Sequence, residues 1–260
     1  MLFSILGSGS QGNSVYIESG NTAILVDAGF SGKEIAARLQ SIHRRIEDLD
    51  AIFVTHEHQD HIRGVGVVSR RCQIPVYSNY KTVKAGEKLL GNLFRHSEFE
   101  TGGSVDLQEI QIRSFAISHD AADPVGFCIY NGKTTIACCT DTGKVSRLVQ
   151  QRLIGCNVLI LEFNHDLQML KEGPYPLALQ QRVRSDQGHL SNNDAAAFLH
   201  TLIHDQLQYV ILAHLSATNN HPHLAMMAAR AVVENDGVTT NLQLRVASQN
   251  VASELLYLGK

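Results

Sequence analysis

The sequence has no cysteine pair in CxxC spacing, no excess of basic charge and no long apolar run. Its five cysteines, Cys72, Cys128, Cys138, Cys139 and Cys156, are odd in number and scattered, which points to a reduced, cytosolic setting. A formal net charge of −3 gives no overall basic field to announce a nucleic-acid partner. Nowhere does the chain approach the roughly 20 apolar residues of a membrane span. The opening stretch MLFSILGSGSQGNS lacks a basic n-region, and its apolar run is too short for a signal peptide. A soluble, cytoplasmic protein with no membrane partner is therefore expected. Low-complexity segments and proline-rich linkers are also missing, and charged residues make up only 18% of the chain, which argues against disorder. With 44% hydrophobic residues over 260 positions there is enough apolar material for a sizeable core, read here as one continuous domain over residues 1–260.

The pattern of elements is clear in outline. LFSIL, SVYIES and TAILVDAG read as strands separated by turn-rich GSGSQGN and GN, and KEIAARLQSI has helical spacing. DAIFVT is a buried-type strand, RGVGVVSRRC a helix and IPVYSN a short strand. Further strands follow in SVDLQEIQIRSFAISHD, and VGFCIYNGKTTIACCTD forms a hairpin around Asn131-Gly132. NVLILEFNHD and QYVILAHLS are strands, while NNDAAAFLHTLIHD and HLAMMAARAVVEN are helical. Two groups of strands, each trailed by helices, predict an α+β chain of two mixed sheets packed face to face with helices outside.

Several motifs carry less than they suggest. Gly7-Ser8-Gly9-Ser10-Gln11-Gly12 matches GxGxxG after a strand, yet a dinucleotide site needs a helix to open at the third glycine. Here the strand SVYIES follows, so no nucleotide cofactor is expected. His200 and His204 stand four apart on a helix, but Thr201 occupies the position where HExxH requires glutamate. His43, His96, His221 and His223 have no such company and read as structural.

One cluster is different. FVTHEHQDHIRG packs His56, His58, Asp60 and His61 into six positions at the C-terminal end of a strand. Three imidazoles and a carboxylate add little to a core, whereas both groups suit zinc, iron or manganese. Extended backbone sends His56 and His58 to the same side, and Asp60 and His61 follow where the chain turns into the next helix. His119 in FAISHD, Asp141 in ACCTDTG and His214 in VILAHLS also follow apolar strand runs and precede turn-type residues. That places them at one edge of a sheet, where loop-built sites lie. Together they make seven ligand-type residues, enough for two ions.

With these residues in view, the sequence resembles the metallo-β-lactamase superfamily across almost its whole length, through LVDAG with Asp27, the HxHxDH stretch, His119, Asp141 in TDTG and His214. The resemblance implies a four-layer αββα sandwich and two divalent ions, zinc in the first instance and otherwise manganese or iron. His56, His58 and His119 would hold one ion, Asp60, His61 and His214 the other, with Asp141 bridging and Asp27 orienting the site from behind. The order LGSGSQGNS, LVDAG, THEHQDH, SHDA, TDTG, E-x-N-H-D and GHLSN is similar to the YycJ/WalJ group, regarded as DNA exonuclease-like. On that likeness the expected function is a phosphodiesterase or nuclease acting on DNA as a 5′-to-3′ exonuclease, through water activated between two ions. Glu162 in NVLILEFNHD and His189 in DQGHLSN match the glutamate and loop histidine that support the leaving oxygen in the superfamily's transfer-RNA-processing nucleases. His189 would donate a proton to the departing sugar oxygen, with Glu162 or His165 behind it, and Asp141 could accept a proton from the nucleophile. The stretch between Asp141 and His214 is too short for the inserted β-CASP domain of the ribonuclease J branch.

Arg63, Lys144, Arg147, Arg182 and Arg184 are basic residues close to these motifs and fit a phosphate backbone; as isolated charges they would be solvated surface. A small-molecule thioesterase of the glyoxalase II kind is the rival reading, and it would need neither a protonating His189 nor those arginines.

Overall fold

The computed structural model describes residues 1–236 and 242–259. The first sheet is laid down by β1 (Leu2–Gly7), β2 (Ser14–Ser19), β3 (Thr22–Val26), β4 (Ala51–Phe53), β5 (Pro75–Ser78) and β6 (Arg95–Glu98). The second holds β7 (Ser104–Leu107), β8 (Ile110–Ala116), β9 (Val125–Tyr130), β10 (Thr135–Cys139), β11 (Val158–Glu162), β12 (Tyr209–Ala213) and β13 (Gln243–Val246). The chain then returns through β14 (Leu256–Tyr257) to pair antiparallel with β1. The spatial orders are β14-β1-β2-β3-β4-β5-β6 and β13-β12-β11-β10-β9-β8-β7.

Period-2 alternation explains why the sheets stack. In β3, Ile24 and Val26 join a core with Phe53, Phe127 and Ile160, while Ala23 and Leu25 face the other way, onto Ile35, Leu39, Ile62 and Val68. β11 behaves alike: Val158 and Ile160 point between the sheets, Leu159 and Leu161 onto Val149, Leu153 and Leu199. Strands apolar on both faces must be covered on both faces. The result is three apolar cores and four layers, the αββα sandwich expected.

The helices on the first sheet are α1 (Gly32–Ser41), α2 (Gln59–Ile62), α3 (Val65–Cys72) and α4 (Tyr80–Leu90). Those on the second are α5 (Arg147–Leu153), α6 (Leu167–Glu172), α7 (Leu177–Val183), α8 (Asn192–His200) and α9 (Pro222–Asp236). One helix start differs from the sequence expectation, and the expected hairpin forms. RGVGVVSRRC does not start its helix at Arg63, because Arg63 caps the end of α2 and Gly64 is the N-cap of α3. The hairpin at Asn131-Gly132 is a four-residue loop, in which Asn131 Oδ1 accepts the amides of Lys133 and Thr134. The strands β6, β13 and β14 and the helices α4 to α7 are not among the elements expected from sequence; apart from the 11-residue α4 and the seven-residue α5 and α7 they run to six residues or fewer.

β3 and β4 are parallel, as are β10, β11 and β12, and β8 runs with β10 through the antiparallel β9. Their C-terminal ends therefore share one edge, and from there the chain delivers Asp27, His56, His119, Asp141, Glu162 and His214.

Candidate metal centre

Strand ends bring the seven ligand-type residues together. His56 Nε2, His58 Nδ1 and His119 Nε2 form one group of donors, and Asp60, His61 and His214 another, each within 4.8 Å. Asp141 stands between them. Its Oδ1 lies 3.3 Å from His214 Nε2 and 4.0 Å from His119 Nε2, and its Oδ2 3.4 Å from His61 Nε2.

The outward nitrogens explain why the inward ones are available. His56 Nδ1 donates to Thr55 Oγ1 at 3.0 Å, and that hydroxyl donates in turn to Asp27 Oδ2. His61 Nδ1 lies 2.8 Å from Asp27 Oδ2, His119 Nδ1 3.2 Å from Gly188 O and His214 Nδ1 3.1 Å from Glu162 Oε1. With each Nδ1–H engaged outward, each Nε2 turns a lone pair inward.

Three buried atoms of the cluster, His56 Nε2, His214 Nε2 and Asp141 Oδ2, have no hydrogen-bond partner. Leaving such atoms unsatisfied costs about 1–3 kcal/mol each. Spacing supports the same conclusion. Donors arranged tetrahedrally about 2.0–2.1 Å from an ion sit roughly 3.3–3.5 Å apart. Here His58 Nδ1 and His119 Nε2 are 3.3 Å apart, and Asp60 Oδ2 is 3.5 Å from His61 Nε2 and 3.6 Å from His214 Nε2. The residues fit divalent metal ions. Glu162, His189, His214 and Asp141 also lie close enough to look like a ligand group. Glu162 is not available for that, because its oxygens already accept from the amides of Thr142 and Leu190 and from His189 and His214.

Burial pushes the His61 imidazole down, but Asp141, Asp60 and Asp27 outweigh it and hold it well above its ordinary value. His214 is likewise driven up, to about 10, as Asp141, Asp60 and Glu162 overcome burial. His56 goes the other way, lowered by burial and by His61. For Glu162 burial is overcome by His189, bringing its carboxyl down to about 2.

His189 stands over the cluster, its ring centroid 5.1 Å from those of both His119 and His214. Its Nδ1 lies 2.7 Å from Glu162 Oε1. Of the two supports expected behind it, Glu162 makes that bond. His165 instead pairs through its backbone with the Ser191 segment, its buried Nδ1 has no partner, and burial lowers it to about 4. The His189 loop is tied down by Ser118 Oγ donating to Asp186 O and by the Asp120 amide donating to Gln187 O.

Among the basic residues, Lys144 pairs with Asp186 at 2.7 Å, and Arg182 grips Asp120 Oδ2 at 2.6 Å. Arg63 is exposed one turn beyond Asp60, Arg184 caps α7, and Arg147 opens α5. Three residues of the site escaped sequence reading. Asn13 Nδ2 lies 3.1 Å from Asp60 Oδ2 and 3.0 Å from His61 Nε2, Ser8 Oγ accepts the His214 amide, and Thr55 links Asp27 to His56. The first two come from the GSGSQGN turn, which belongs to the motif order shared with the YycJ/WalJ group but carries no local sign of which side chains reach the donors.

A model of the β-lactamase superfamily domain matches residues 22–214. The chain is 41% identical over 237 residues to exodeoxyribonuclease YycJ of Bacillus anthracis, covering 90% of each, and 42% identical over 229 residues to exodeoxyribonuclease WalJ of Streptococcus pneumoniae, covering 86% and 85%. Among solved structures, the metallo-β-lactamase fold protein YhfI of Bacillus subtilis superposes with a TM-score of 0.75 at 16% identity, over 97% of this chain and 99% of that one. The chain belongs to the metallo-β-lactamase superfamily and, within it, to the YycJ/WalJ group.

Proposed function

We propose that this chain is a dinuclear metal-dependent phosphodiesterase that degrades DNA from an end. His56, His58 and His119 are assigned to one ion, Asp60, His61 and His214 to the second, and Asp141 to both. Zinc fits a first group made only of imidazoles, with manganese and iron as the other ions such donors accept. When bound, two such ions acidify water and neutralise charge on a phosphoryl group.

One observation carries the choice of a phosphodiester over other esters: the 2.7 Å bond from His189 to the buried Glu162, beside the donor cluster. Glu162 outweighs burial and raises the imidazole's affinity for a proton. His189 Nδ1–H is held on the buried Glu162, which leaves Nε2 as the nitrogen that can hand its proton to a departing sugar oxygen. An alkoxide is a poor leaving group and needs that proton, whereas a thiolate does not. The geometry thus favours phosphodiester over thioester hydrolysis, in keeping with the exodeoxyribonuclease relatives. To Asp141 we assign the orienting of the attacking water and the acceptance of its proton. Five free thiols and the lack, among the described residues, of any helix long and apolar enough to cross a membrane fit a cytoplasmic enzyme.

The test is a substrate panel on protein loaded with zinc or manganese: DNA labelled at either end, RNA, bis-p-nitrophenyl phosphate and a glutathione thioester. DNA degradation that starts from the 5′ end is expected. Thioester turnover without phosphodiester cleavage would overturn the reading.

A further inference from the structure

A cleft of about 570 Å³ opens directly beside the metal centre and shares Asp60 with it. That volume is in the range of small-molecule subsites, about 300–1,000 Å³. The cleft runs from Asp60 over the GSGSQGN turn and α1 to the Gln249-Asn250 segment.

Its walls combine three kinds of recognition chemistry. The Arg38 guanidinium lies 3.9 Å above the buried Phe30 ring and donates to the carbonyls of Leu6 and Gln249. Pinned from below and at both terminal nitrogens, it presents a flat cationic face to the cleft, a surface on which bases stack. Gln11, Gln59 and Asn250 put side-chain amides along the rim, and among the described residues none of the three is hydrogen-bonded to protein through its side chain. Each offers both a donor and an acceptor to a base edge. Arg63, exposed and one helical turn after Asp60, lines the same cleft; Glu34 lies in the wall as well, yet among the described residues Arg63 makes no ion pair within 4 Å. A stacking plane, unpaired amides and one cation in a row beginning at a metal-directed carboxylate suit a nucleotide.

We propose that this cleft holds the nucleotide adjoining the scissile phosphate, with its base on Arg38 and its outer phosphate at Arg63. The assignment rests on the nuclease reading above.

Steady-state kinetics on short single-stranded oligonucleotides test it, using metal-loaded full-length protein and substrates with either a natural or an abasic terminal nucleotide, made for each end. Arg38→Lys keeps the charge and removes the plane. It should raise KM for the natural substrate about tenfold with kcat within twofold, the scale of losing one stacked base, and have no further effect once the terminal base is absent. Arg63→Ala, an exposed change, should raise KM and lower the salt dependence of binding by about one counterion. If Arg38→Lys penalises natural and abasic substrates equally and Arg63→Ala leaves the salt dependence unchanged, the subsite is overturned while the nuclease reading stands. If wild-type protein cleaves no oligonucleotide, the nuclease reading falls and this assignment falls with it.

Discussion

Asp27, Asp141 and His214 all have left-handed backbone, with φ of 60°, 59° and 55°. Asp and His are among the few side chains that enter this region with any frequency, and such strain concentrates at functional sites. At each position the strand has just ended and the chain must turn sharply to aim a side chain back over the sheet edge. The carboxylate of Glu162 is the other decisive residue, since its Oε1 serves His189 and His214 at once. Glu162→Gln keeps the volume and removes the charge that sustains the proton on His189. On the proposed role of His189 as proton donor, activity on DNA should then be lost at lower pH, so a pH–rate profile should show its alkaline limb displaced downward. His189→Ala should retain full metal content by elemental analysis yet slow DNA cleavage by about 10²- to 10⁴-fold, with a much smaller effect on a p-nitrophenolate leaving group. A fall in metal content would instead make His189 a ligand. Asn13→Ala removes the amide that holds Asp60 and should weaken one of the two ions by about 10- to 100-fold in a chelator competition.

At the level of elements, the segment from Ser185 to His189 works as a strap over the β8 and β10 ends. It is seated against Gly143, where a Cβ would come 2.3 Å from Ser185 O and 2.5 Å from Gly188 N. Gly143→Ala should therefore displace the strap without touching a donor. A shift of about 1 Å at a proton donor can cost about 10²-fold, so kcat on DNA should fall by that order while metal content is unchanged. Equal loss of metal and activity would show that the strap supports the cluster itself. The pairing of Arg182 with Asp120 joins α7 to the loop between β8 and β9, whose Asp120 amide also holds the strap at Gln187 O; this gives Arg182 a structural use beside any contact with phosphate.

For the whole molecule, the metal centre lies where both sheets meet, so ion binding and folding stability are linked. Metal at 100 times its dissociation constant should add about 2.7 kcal/mol, or roughly 5–10 °C in Tm for a chain near this size. Calorimetric melts before and after chelation measure this. Because His61 and His214 are held above their ordinary values, the latter at about 10, loading at neutral pH must displace protons. Affinity should fall as pH falls, and titrations in buffers of different ionisation enthalpy should report net proton release. In stripped protein, Glu162 with its carboxyl lowered to about 2 contributes stability above about 4.5, which is lost as pH drops towards 2.

The sequence by itself determined the alternation that makes both sheets apolar on two faces, and hence four layers. It also marked the histidines and aspartates at strand ends, because each alone is an ordinary polar strand terminus but seven ligand-type residues together are not. It could not decide which residues stand behind the donors. Asn13 and Ser8 come from a turn whose residues gave no role of their own, and Thr55 looked like any strand-end hydroxyl, since a hydrogen bond between segments tens of residues apart leaves no local pattern. The choice of Glu162 over His165 as the partner of His189 was likewise tertiary. Glu162 ends β11 and His165 follows it, and only the path of the strap from Ser185 to His189 brings one of them within 2.7 Å. The basic residues show the same division: charge is visible in sequence, but whether it is spent on Asp120 and Asp186 or left free, as at Arg63, depends on packing between loops.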